Sequence, residues 1–199
     1  MSKDFYKAIE DRRSFYGISK DTTVSEARIR EIIDFAVKYT PSAFNSQSAR
    51  VVLLLEKEHD KLWDITKEAL RKIVPSDQFS STENKINSFR NGYGTILYFE
   101  DQRDIENLQK QFELYKDNFP VWSQQSNGML QFAIWSALGI EGLGASLQHY
   151  TELIETEVKK EWGIQDSWKL IAQMPFGNPT SKPAEKEYKS LEERIKVFK

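Results

Sequence analysis

Cysteine is entirely absent from the 199 residues of this sequence. Its absence excludes disulfides, thiolate catalysis and the common zinc sites, and it fits a reducing compartment. Histidine is almost as rare, because only His59 and His149 occur and neither has a second ligand at the helical spacing of a metal site. We therefore expect no metal, and we expect His59, at the start of a charged helix, to be solvated.

An excess of charge of one sign is also missing, as are long apolar runs. The chain has 28 basic and 30 acidic residues, interspersed, which give a net charge of -2. Such a balance provides no field that attracts nucleic acid or an anionic membrane. The N-terminal residues are charged where a signal peptide needs an apolar core, and no uncharged stretch is long enough to span a bilayer. We expect a soluble, cytoplasmic protein that binds neither nucleic acid nor membrane.

Sequence motifs of several common enzyme classes are missing too. The chain has no G-x-S-x-G nucleophile elbow and no Walker phosphate loop. "GLGASL" at 142–147 begins like a dinucleotide-binding fingerprint, but the third glycine is absent and the segment follows a helix instead of a strand. These signatures are therefore not the source of any chemistry in this protein.

What the sequence does contain is material for one folded domain. Hydrophobic residues make up 39% and aromatic residues 13% of the chain, enough for a sizeable core. Apolar runs predict three strands, at 50–56, 92–101 and 168–178. A helix predicted over 24–40 has Ser25 as its N-cap and an apolar face, which comprises Ile29, Ile32, Ile33, Ala36 and Val37. Because helices and strands follow no strict alternation, we predict a single α+β domain over 1–199.

The middle of the chain is polar but carries large aromatic side chains. The stretch 102–122 is helix-prone and includes Tyr115, Phe119 and Trp122. We interpret it as a lid-like excursion that places these three side chains against a substrate; the alternative is an anchor that ties the excursion to the body. The next segment, 128–140, is strongly apolar and predicts a central buried helix. The C-terminal tail has too little core material to fold alone, so we expect it to cross the surface or a partner.

Several short groups of polar residues, separated along the chain, suit the binding of a phosphorylated planar ligand. We call each group a polar station. Arg12, Arg13 and Ser14 offer two guanidinium groups and a hydroxyl, which can hold phosphate or a carbonyl edge. The loop "TPSAFNSQSAR" at 40–50 groups amide and hydroxyl side chains, and amides that both donate and accept suit a pyrimidine-like ring edge. Taken alone, each station has an ordinary alternative: a basic C-terminal helix turn, a solvated loop, and solvated lysines in the tail.

The order of these stations along the chain resembles the FMN-dependent nitroreductase family. The matching segments are the Arg-Arg-Ser stretch, "PSAFNSQ", "LGIEGLGASLQ" and a late "PFGNP" followed by lysines, so the resemblance covers nearly the whole chain. It is closest to a short branch of the family in which "LQHY" follows the glycines and "AEKEYK" lies near the end.

The resemblance implies an α+β nitroreductase-like fold and a homodimer with FMN at the interface, in which the tail extends onto the partner. It also implies an NADH- or NADPH-dependent enzyme that reduces nitro compounds or quinones by ping-pong hydride transfer through flavin N5. The chemistry then belongs to the cofactor, and no side-chain acid or base is essential.

The resemblance further implies which residues bind FMN. Arg12, Arg13 and Ser14 match the stretch that contacts the phosphate, the ribityl chain and the ring edge. Ser42, Asn45 and Gln47 match the loop that reaches the flavin from the other subunit. Ser146, Gln148 and His149 match the segment that faces N5, and Lys186 matches a late phosphate contact.

Two places depart from the family pattern. Ser48 and Ala49 stand where many members have Pro-Trp, which leaves the packing of the loop open. Glutamate follows Lys186 where the family has a lysine-arginine pair, so phosphate binding could rest mainly on Arg12 and Arg13. Two other functions also stay open: an FMN protein used for dehalogenation, sensing or storage of reducing equivalents, and a non-catalytic helical interaction protein.

Overall fold

The computed structural model describes residues 4–199 and has an α+β architecture. Within these residues the chain forms five strands, β1 (Ile18–Ser19), β2 (Ala49–Leu55), β3 (Gly94–Asp101), β4 (Gly144–Ala145) and β5 (Trp168–Pro179). The seven helices of the same region are α1 (Phe5–Asp11), α2 (Glu26–Tyr39), α3 (Glu56–Arg71), α4 (Phe79–Arg90), α5 (Gln102–Gln111), α6 (Phe119–Ile140) and α7 (Thr151–Trp162). The three predicted strands correspond to β2, β3 and β5, whereas β1 and β4 are too short to be seen in a hydrophobic pattern.

The sheet is antiparallel, with strand order β1-β5-β3-β2 and β4 paired to a further stretch of β5. β3 lies between β2 and β5, and all eight of its residues are buried because helices cover both of its faces. β2 lies at the edge, and of its seven residues only Leu54 is fully buried. A continuous apolar run therefore predicts both strands correctly, but only β3 has the complete cover that such a run suggests.

Alternation along β3 divides the core into two layers. Ile96 and Tyr98 pack with residues of α2 and α6, whereas Leu97 and Phe99 pack with residues of α3, α4 and α7. We call the side covered by α2 and α6 the α6 face, and the side covered by α3, α4 and α7 the α3 face. The single sheet thus supports two separate apolar layers.

Helix α2 closely follows its prediction. The side chain of Ser25 accepts a hydrogen bond from the backbone N–H of Arg28, which is the expected N-cap. Ile29, Ile32, Ile33 and Ala36 are buried, but the prediction for Val37 is wrong because its side chain is 43% exposed. Val37 lies at the flank of the apolar stripe, where α6 does not cover it.

Helix α6 is longer than predicted and begins at Phe119, not near 128. Pro120 occupies its first turn, where a missing N–H costs nothing, and Gly128 does not interrupt it. The stretch 102–122 comprises α5, a single 3₁₀ turn and the start of α6. Within the predicted range 128–140, Leu130, Ile134 and Leu138 are buried as expected, whereas Met129 is 44% exposed. The helix also buries polar side chains, namely Ser123, Ser126, Asn127 and Gln131.

His59 is fully buried on the α3 face, so the expectation that it is solvated is wrong. Its Nε2 lies 3.1 Å from the carbonyl oxygen of Arg90, and because a carbonyl can only accept, Nε2 carries the proton. Nδ1 then accepts from the hydroxyl of Thr95 at 2.8 Å, and the same hydroxyl accepts from Trp63 Nε1 at 3.0 Å. Burial lowers the pKa of His59 to about 4. The prediction failed because α3 begins at Glu56, which turns His59 toward β3.

Beyond β5, residues 180–199 form no helix or strand, and nearly all of them are exposed. They include large apolar side chains in open solvent, namely Tyr188, Leu191, Ile195, Val197 and Phe198. Within residues 4–199 no helix is both long and apolar enough to cross a membrane. The described part of the chain also contains no group of three or more metal-ligating side chains placed to hold an ion.

Candidate active site

Arg12, Arg13 and Ser14 follow directly after α1, in extended backbone beside the sheet. Ser14 forms a parallel bridge with Ala145 of β4, and the N–H of the next residue donates to the Ala145 carbonyl at 3.0 Å. Gly144 allows this approach, since a Cβ there would lie 2.8 Å from the side chain of Phe15. Two predicted segments that are far apart in sequence, 12–14 and 146–149, are thereby brought together.

Two adjoining cavities open beside Arg12 and Arg13. Their volumes are about 500 and 460 Å³, and both are lined by Arg12, Arg13 and Lys182. Lys186 lines the second cavity, and Arg13 Nη2 donates to the carbonyl oxygen of Ala184 at 2.7 Å, which holds the tail against this end of the molecule. The structure therefore collects four cationic side chains, two from each end of the chain, around one space. We call this arrangement the cationic cradle.

Arg12 is held against α6. Its guanidinium carbon lies 4.3 Å from the ring centre of Trp135, a residue that the sequence pattern did not single out. Its Nε is buried and has no hydrogen-bond partner among the described residues. Burial, with a smaller contribution from the charge of Arg13, lowers the pKa of Arg12 below its ordinary value. An anion in the cradle would stabilise the charge of Arg12.

The segment 146–149 is fixed by hydrogen bonds within itself and to β5. Ser146 and Gln148 are buried, and Gln148 Nε2 donates to Ser146 Oγ at 3.1 Å. Gln148 and Gln173 exchange backbone hydrogen bonds of 2.7 and 2.9 Å. His149, by contrast, is exposed. The buried side chains of Ser146 and Gln148 and the backbone of Gln148 therefore hold this segment beside β5, and of the three predicted residues only His149 has an exposed side chain.

The polar loop, residues 42–48, has an unusual backbone. Phe44, Asn45 and Gln47 have φ angles of 54°, 52° and 47°, in the left-handed region that non-glycine residues rarely adopt. Ser42 Oγ accepts from the N–H of Gln47 at 3.0 Å and closes the loop. The side chains of Asn45 and Gln47 are exposed. Strain of this kind costs about 1–3 kcal/mol per residue and is found mostly at functional sites.

Phe44 joins the polar loop to the stretch 112–122. Its ring centre lies 4.8 Å from that of Phe112 and 5.3 Å from that of Phe119, and it stacks on Trp122 at 6.0 Å with an interplanar angle of 17°. We call Phe44, Phe112, Tyr115, Phe119 and Trp122 the aromatic cluster. Phe119 is only 3% exposed, whereas Phe44 and Tyr115 are 49% and 46% exposed. The one available signal for Phe44 was an aromatic residue inside a polar loop.

The cationic cradle and the polar loop lie at opposite ends of α6. Arg12 packs on Trp135 near the C-terminal end, and Phe44 packs on Trp122 near the N-terminal end. These two tryptophans are 13 positions apart, which corresponds to about 20 Å of helix. Neither of the two cavities beside Arg12 and Arg13 is lined by a residue of the polar loop, so the predicted FMN contacts of one chain do not meet in either of them.

Comparison with known proteins gives the class and then the family. The α+β fold of the chain is that of a solved nitroreductase, which belongs to the class of oxidoreductases. The model of the Nitroreductase family matches residues 9–178. The chain belongs to the nitroreductase family, and the α+β nitroreductase-like fold inferred from its sequence is confirmed.

The individual relatives cover 93% or more of the chain. The nitroreductase CinD from Lactococcus lactis, solved in complex with chloramphenicol, is 41% identical with a TM-score of 0.91, covering 98% of this chain and 100% of that one. The nitroreductase FRM2 from Saccharomyces cerevisiae is 29% identical over 187 residues, 93% of each chain. A protein from Desulfovibrio desulfuricans solved in complex with FMN is 19% identical with a TM-score of 0.69, covering 100% of this chain and 99% of that one, and shows the fold alone.

Proposed function

We propose that this oxidoreductase is an FMN-dependent enzyme that uses NADH or NADPH to reduce nitro compounds, quinones or both. The observation that carries the proposal is the cationic cradle, in which Arg12 keeps a buried donor without a partner among the described residues. Membership of the nitroreductase family supports the reaction class. CinD has been solved with chloramphenicol and with 4-nitrophenol, the latter at 41% identity and a TM-score of 0.90, which supports nitroaromatic acceptors.

The residues of the cradle fit the phosphate of FMN. Arg12 and Arg13 can each give charge-assisted hydrogen bonds, and Ser14 can donate a hydroxyl to the ribityl chain or ring edge. Lys182 and Lys186 line the cavity that both arginines line, so the tail can supply the charge that the absent lysine-arginine pair would give. Cavities of about 460–500 Å³ lie within the usual range for small-molecule sites.

FMN, when bound, supplies two-electron chemistry by accepting and donating hydride at N5. The chain would contribute position and electrostatics, without an essential acid or base. Ser42, Asn45 and Gln47 would bind the ring edge and the ribityl oxygens, and the backbone of Ser146–His149 would face N5. The exposed side chains of Asn45 and Gln47 are consistent with contacts made to a neighbouring molecule.

The aromatic cluster is our candidate for the acceptor site. Trp122 and Tyr115 retain exposed ring surface on which a flat acceptor can stack in an offset arrangement. Phe119 is buried beneath them, so its part in this site would be to support the cluster. The stretch 112–122 would thus serve as both wall and anchor, with Phe44 as its link to the polar loop.

A homodimer would bring the two ends of α6 into one site. In an antiparallel arrangement of two copies, the polar loop of one chain can approach the cradle of the other. A groove of about 600 Å³ between α2 and α6 supports such a contact, because it is lined by apolar side chains that include Phe35, Tyr39, Met129 and Ala133. Phe35 and Tyr39 are 65% and 61% exposed, which is costly in water.

The tail would extend onto the partner in this dimer. Within residues 4–199 β2 pairs only with β3, so its outer edge offers backbone groups to another strand. The groove along that edge is lined by acidic side chains that include Glu26, Asp34 and Glu58. The last six residues, "RIKVFK" at 194–199, are basic or apolar, and the two kinds partly alternate. The charge and pattern of the tail suit this edge. Cytoplasmic location remains a prediction from the sequence.

The proposal is tested by the colour and redox behaviour of the purified protein. We expect protein mixed with excess FMN to keep about one flavin per chain after desalting, and we expect NADH or NADPH to bleach it under anaerobic conditions. Addition of 4-nitrophenol or a quinone should restore the oxidised spectrum. Protein that stays colourless would contradict FMN binding. Flavin that is retained but never bleached would indicate an FMN protein with another role.

A further inference from the structure

A buried carboxyl group stands behind the polar loop. Glu100, on β3, is fully buried on the α6 face. Ser48 Oγ donates to its Oε2 at 2.6 Å, and Asn127 Nδ2, from α6, donates to its Oε1 at 2.7 Å. Gln131 Nε2 in turn donates to Asn127 Oδ1 at 2.7 Å. These contacts form one chain of hydrogen bonds that runs from α6, through the carboxyl group, to the last residue of the loop.

The C-terminal side of the loop is held at several atoms. The N–H of Asp101 donates to the carbonyl oxygen of Ser48 at 2.9 Å, so Ser48 is fixed through both its backbone and its side chain. Arg50 Nη1 donates to the carbonyl oxygen of Gln47 at 2.7 Å, and Arg50 Nη2 lies 2.6 Å from a carboxylate oxygen of Asp104. Glu100 is the deepest of these groups.

This anchoring matters because the loop backbone is strained. Three of its residues have positive φ without being glycine, and such a conformation persists only where the surrounding structure fixes it. On one side the ring of Phe44 is packed in the aromatic cluster. On the other side the loop depends on Ser48 and Arg50. An ionisable group costs stability when buried, and burial raises the pKa of Glu100, so packing alone does not explain its presence there.

We propose that Glu100 is a positioning residue for the cofactor site: through Ser48 and Asn127 it holds the polar loop in the conformation that presents Asn45 and Gln47 to FMN. The proposal rests on the proposed function for its effect on FMN, but not for its effect on the loop. It also explains the serine at 48, where many family members have proline. A proline would restrict φ by its ring, whereas Ser48 obtains its restraint from a hydroxyl bonded to Glu100.

The first test needs no cofactor. Hydrogen–deuterium exchange is measured on flavin-free protein for the peptide that covers 42–49, in Glu100→Leu, Glu100→Gln and Ser48→Ala variants. We expect about tenfold faster exchange in Glu100→Leu and Ser48→Ala, because each loses a buried hydrogen bond to the loop. Glu100→Gln should stay near wild type, since its amide can donate to Ser48 Oγ and its carbonyl can accept from Asn127.

The matched control is Thr66→Val. Thr66 is also fully buried and donates to the carbonyl oxygen of Leu62 at 2.9 Å, but it lies on the α3 face, away from the loop. It should lower stability without changing exchange at 42–49. If Glu100→Leu does not fold, Ser48→Ala carries the test, because it removes one hydroxyl group only.

The second test measures FMN affinity and the visible spectrum of bound flavin in the same variants. We expect Glu100→Leu and Ser48→Ala each to weaken FMN binding about tenfold, and the double variant to be no weaker than the worse single one, because both remove the same contact. Glu100→Gln should bind within about threefold of wild type with an unchanged spectrum.

Three results would decide against the proposal. Wild-type exchange at 42–49 in both Glu100→Leu and Ser48→Ala would overturn it, as would wild-type FMN affinity in both. Loss in Glu100→Gln equal to that in Glu100→Leu would overturn it too, since the charge and not the hydrogen bonds would then matter. If wild-type protein binds no FMN while exchange behaves as expected, the proposed function fails and the anchoring of the loop by Glu100 stands.

Discussion

The two faces of the central sheet use buried polar groups in opposite ways. On the α3 face, the polar groups of His59, Trp63 and Thr95 bond to one another and to the carbonyl of Arg90, so this set joins α3, β3 and α4. On the α6 face, Glu100 extends its bonds to a strained loop, and Arg12 leaves a buried donor open beside a cavity. We assign the first arrangement to stability and the second to the FMN binding proposed above.

A single strand produces both arrangements. Thr95, Leu97 and Phe99 point to the α3 face, whereas Ile96, Tyr98 and Glu100 point to the α6 face, because successive side chains of a strand alternate. Within residues 95–100, each face thus receives one polar residue from β3 among apolar neighbours. What differs is what packs above it: α3 and α4 close over Thr95, while α6 and the polar loop meet over Glu100.

The largest effect is expected at the cradle on the α6 face. Arg12→Ala combined with Arg13→Ala should weaken FMN binding roughly 10²- to 10⁴-fold, because charge-assisted hydrogen bonds contribute about 1.5–3 kcal/mol each. Fluorescence titration of FMN measures the affinity. Arg71→Ala is the matched control, since Arg71 forms surface ion pairs and a cation–π contact with Phe79 on the α3 face. Equal affinity in both variants would assign Arg12 and Arg13 to a surface role.

Phe119 should affect stability most. Phe119→Ala should lower the free energy of unfolding by about 3–5 kcal/mol, the usual cost of removing a buried phenyl ring, and it should also speed exchange in the polar loop through Phe44. Phe89→Ala on the α3 face should cost as much stability but leave the loop unchanged, since Phe89 is fully buried away from it. Denaturant unfolding and hydrogen exchange check this pair. A loop that responds equally to both variants would contradict the comparison.

The α3 face should show its own dependence on pH. His59 has a pKa of about 4 in the folded protein, below its ordinary value of 6.5, so the unfolded chain binds the proton first as pH falls. The contribution of His59 to the free energy of unfolding should be fully present above pH 6.5 and should fall by about 3 kcal/mol as the pH is lowered to 4. His59→Gln should remove this part of the pH dependence and leave FMN affinity at pH 7 unchanged. Denaturant unfolding at a series of pH values measures it, and an identical slope in both proteins would refute it.

The smallest effect is expected at the aromatic cluster, which is our candidate acceptor site. Trp122→Ala should lower kcat/KM for a nitroaromatic and a quinone roughly 2- to 10-fold, because an offset aromatic contact contributes about 0.5–1.5 kcal/mol. FMN content should stay the same. Tyr6→Ala is the control, since Tyr6 is an 82% exposed aromatic residue on α1, outside the aromatic cluster. Steady-state kinetics of the holoenzyme decide the question: normal kcat/KM with lowered stability would make Trp122 an anchor only.

Local patterns predict part of the fold well. The cap at Ser25 and the apolar stripe of α2 are properties of consecutive residues, so the sequence is sufficient to define that helix. The start of α6 depends on contacts between its first turns and Phe44, which lies 75 positions before Phe119 in the chain. The burial of His59 likewise depends on a sharp turn at Glu56, whose φ is 50°. Neither is visible in hydrophobic periodicity.

The residues of the candidate site also divide into those that the sequence identifies and those that it does not. Arg12, Arg13, Asn45 and Gln47 could be identified because charged and amide groups in that order resemble a known family. Trp135, Phe44 and Glu100 could not, because the contacts that connect each of them to the candidate site are with residues remote in sequence. A buried glutamate at the end of an apolar strand is ambiguous until its partners are known.

The central claim is that the α6 face forms an FMN site completed by a second copy of the chain. Sedimentation velocity, recorded at the flavin absorption band and over a range of protein concentrations, tests it directly. We predict that flavin sediments with a dimer at about one FMN per chain and is released as dilution produces monomer. A monomer that retains FMN stoichiometrically, or a dimer from which the flavin sediments separately, would contradict the account.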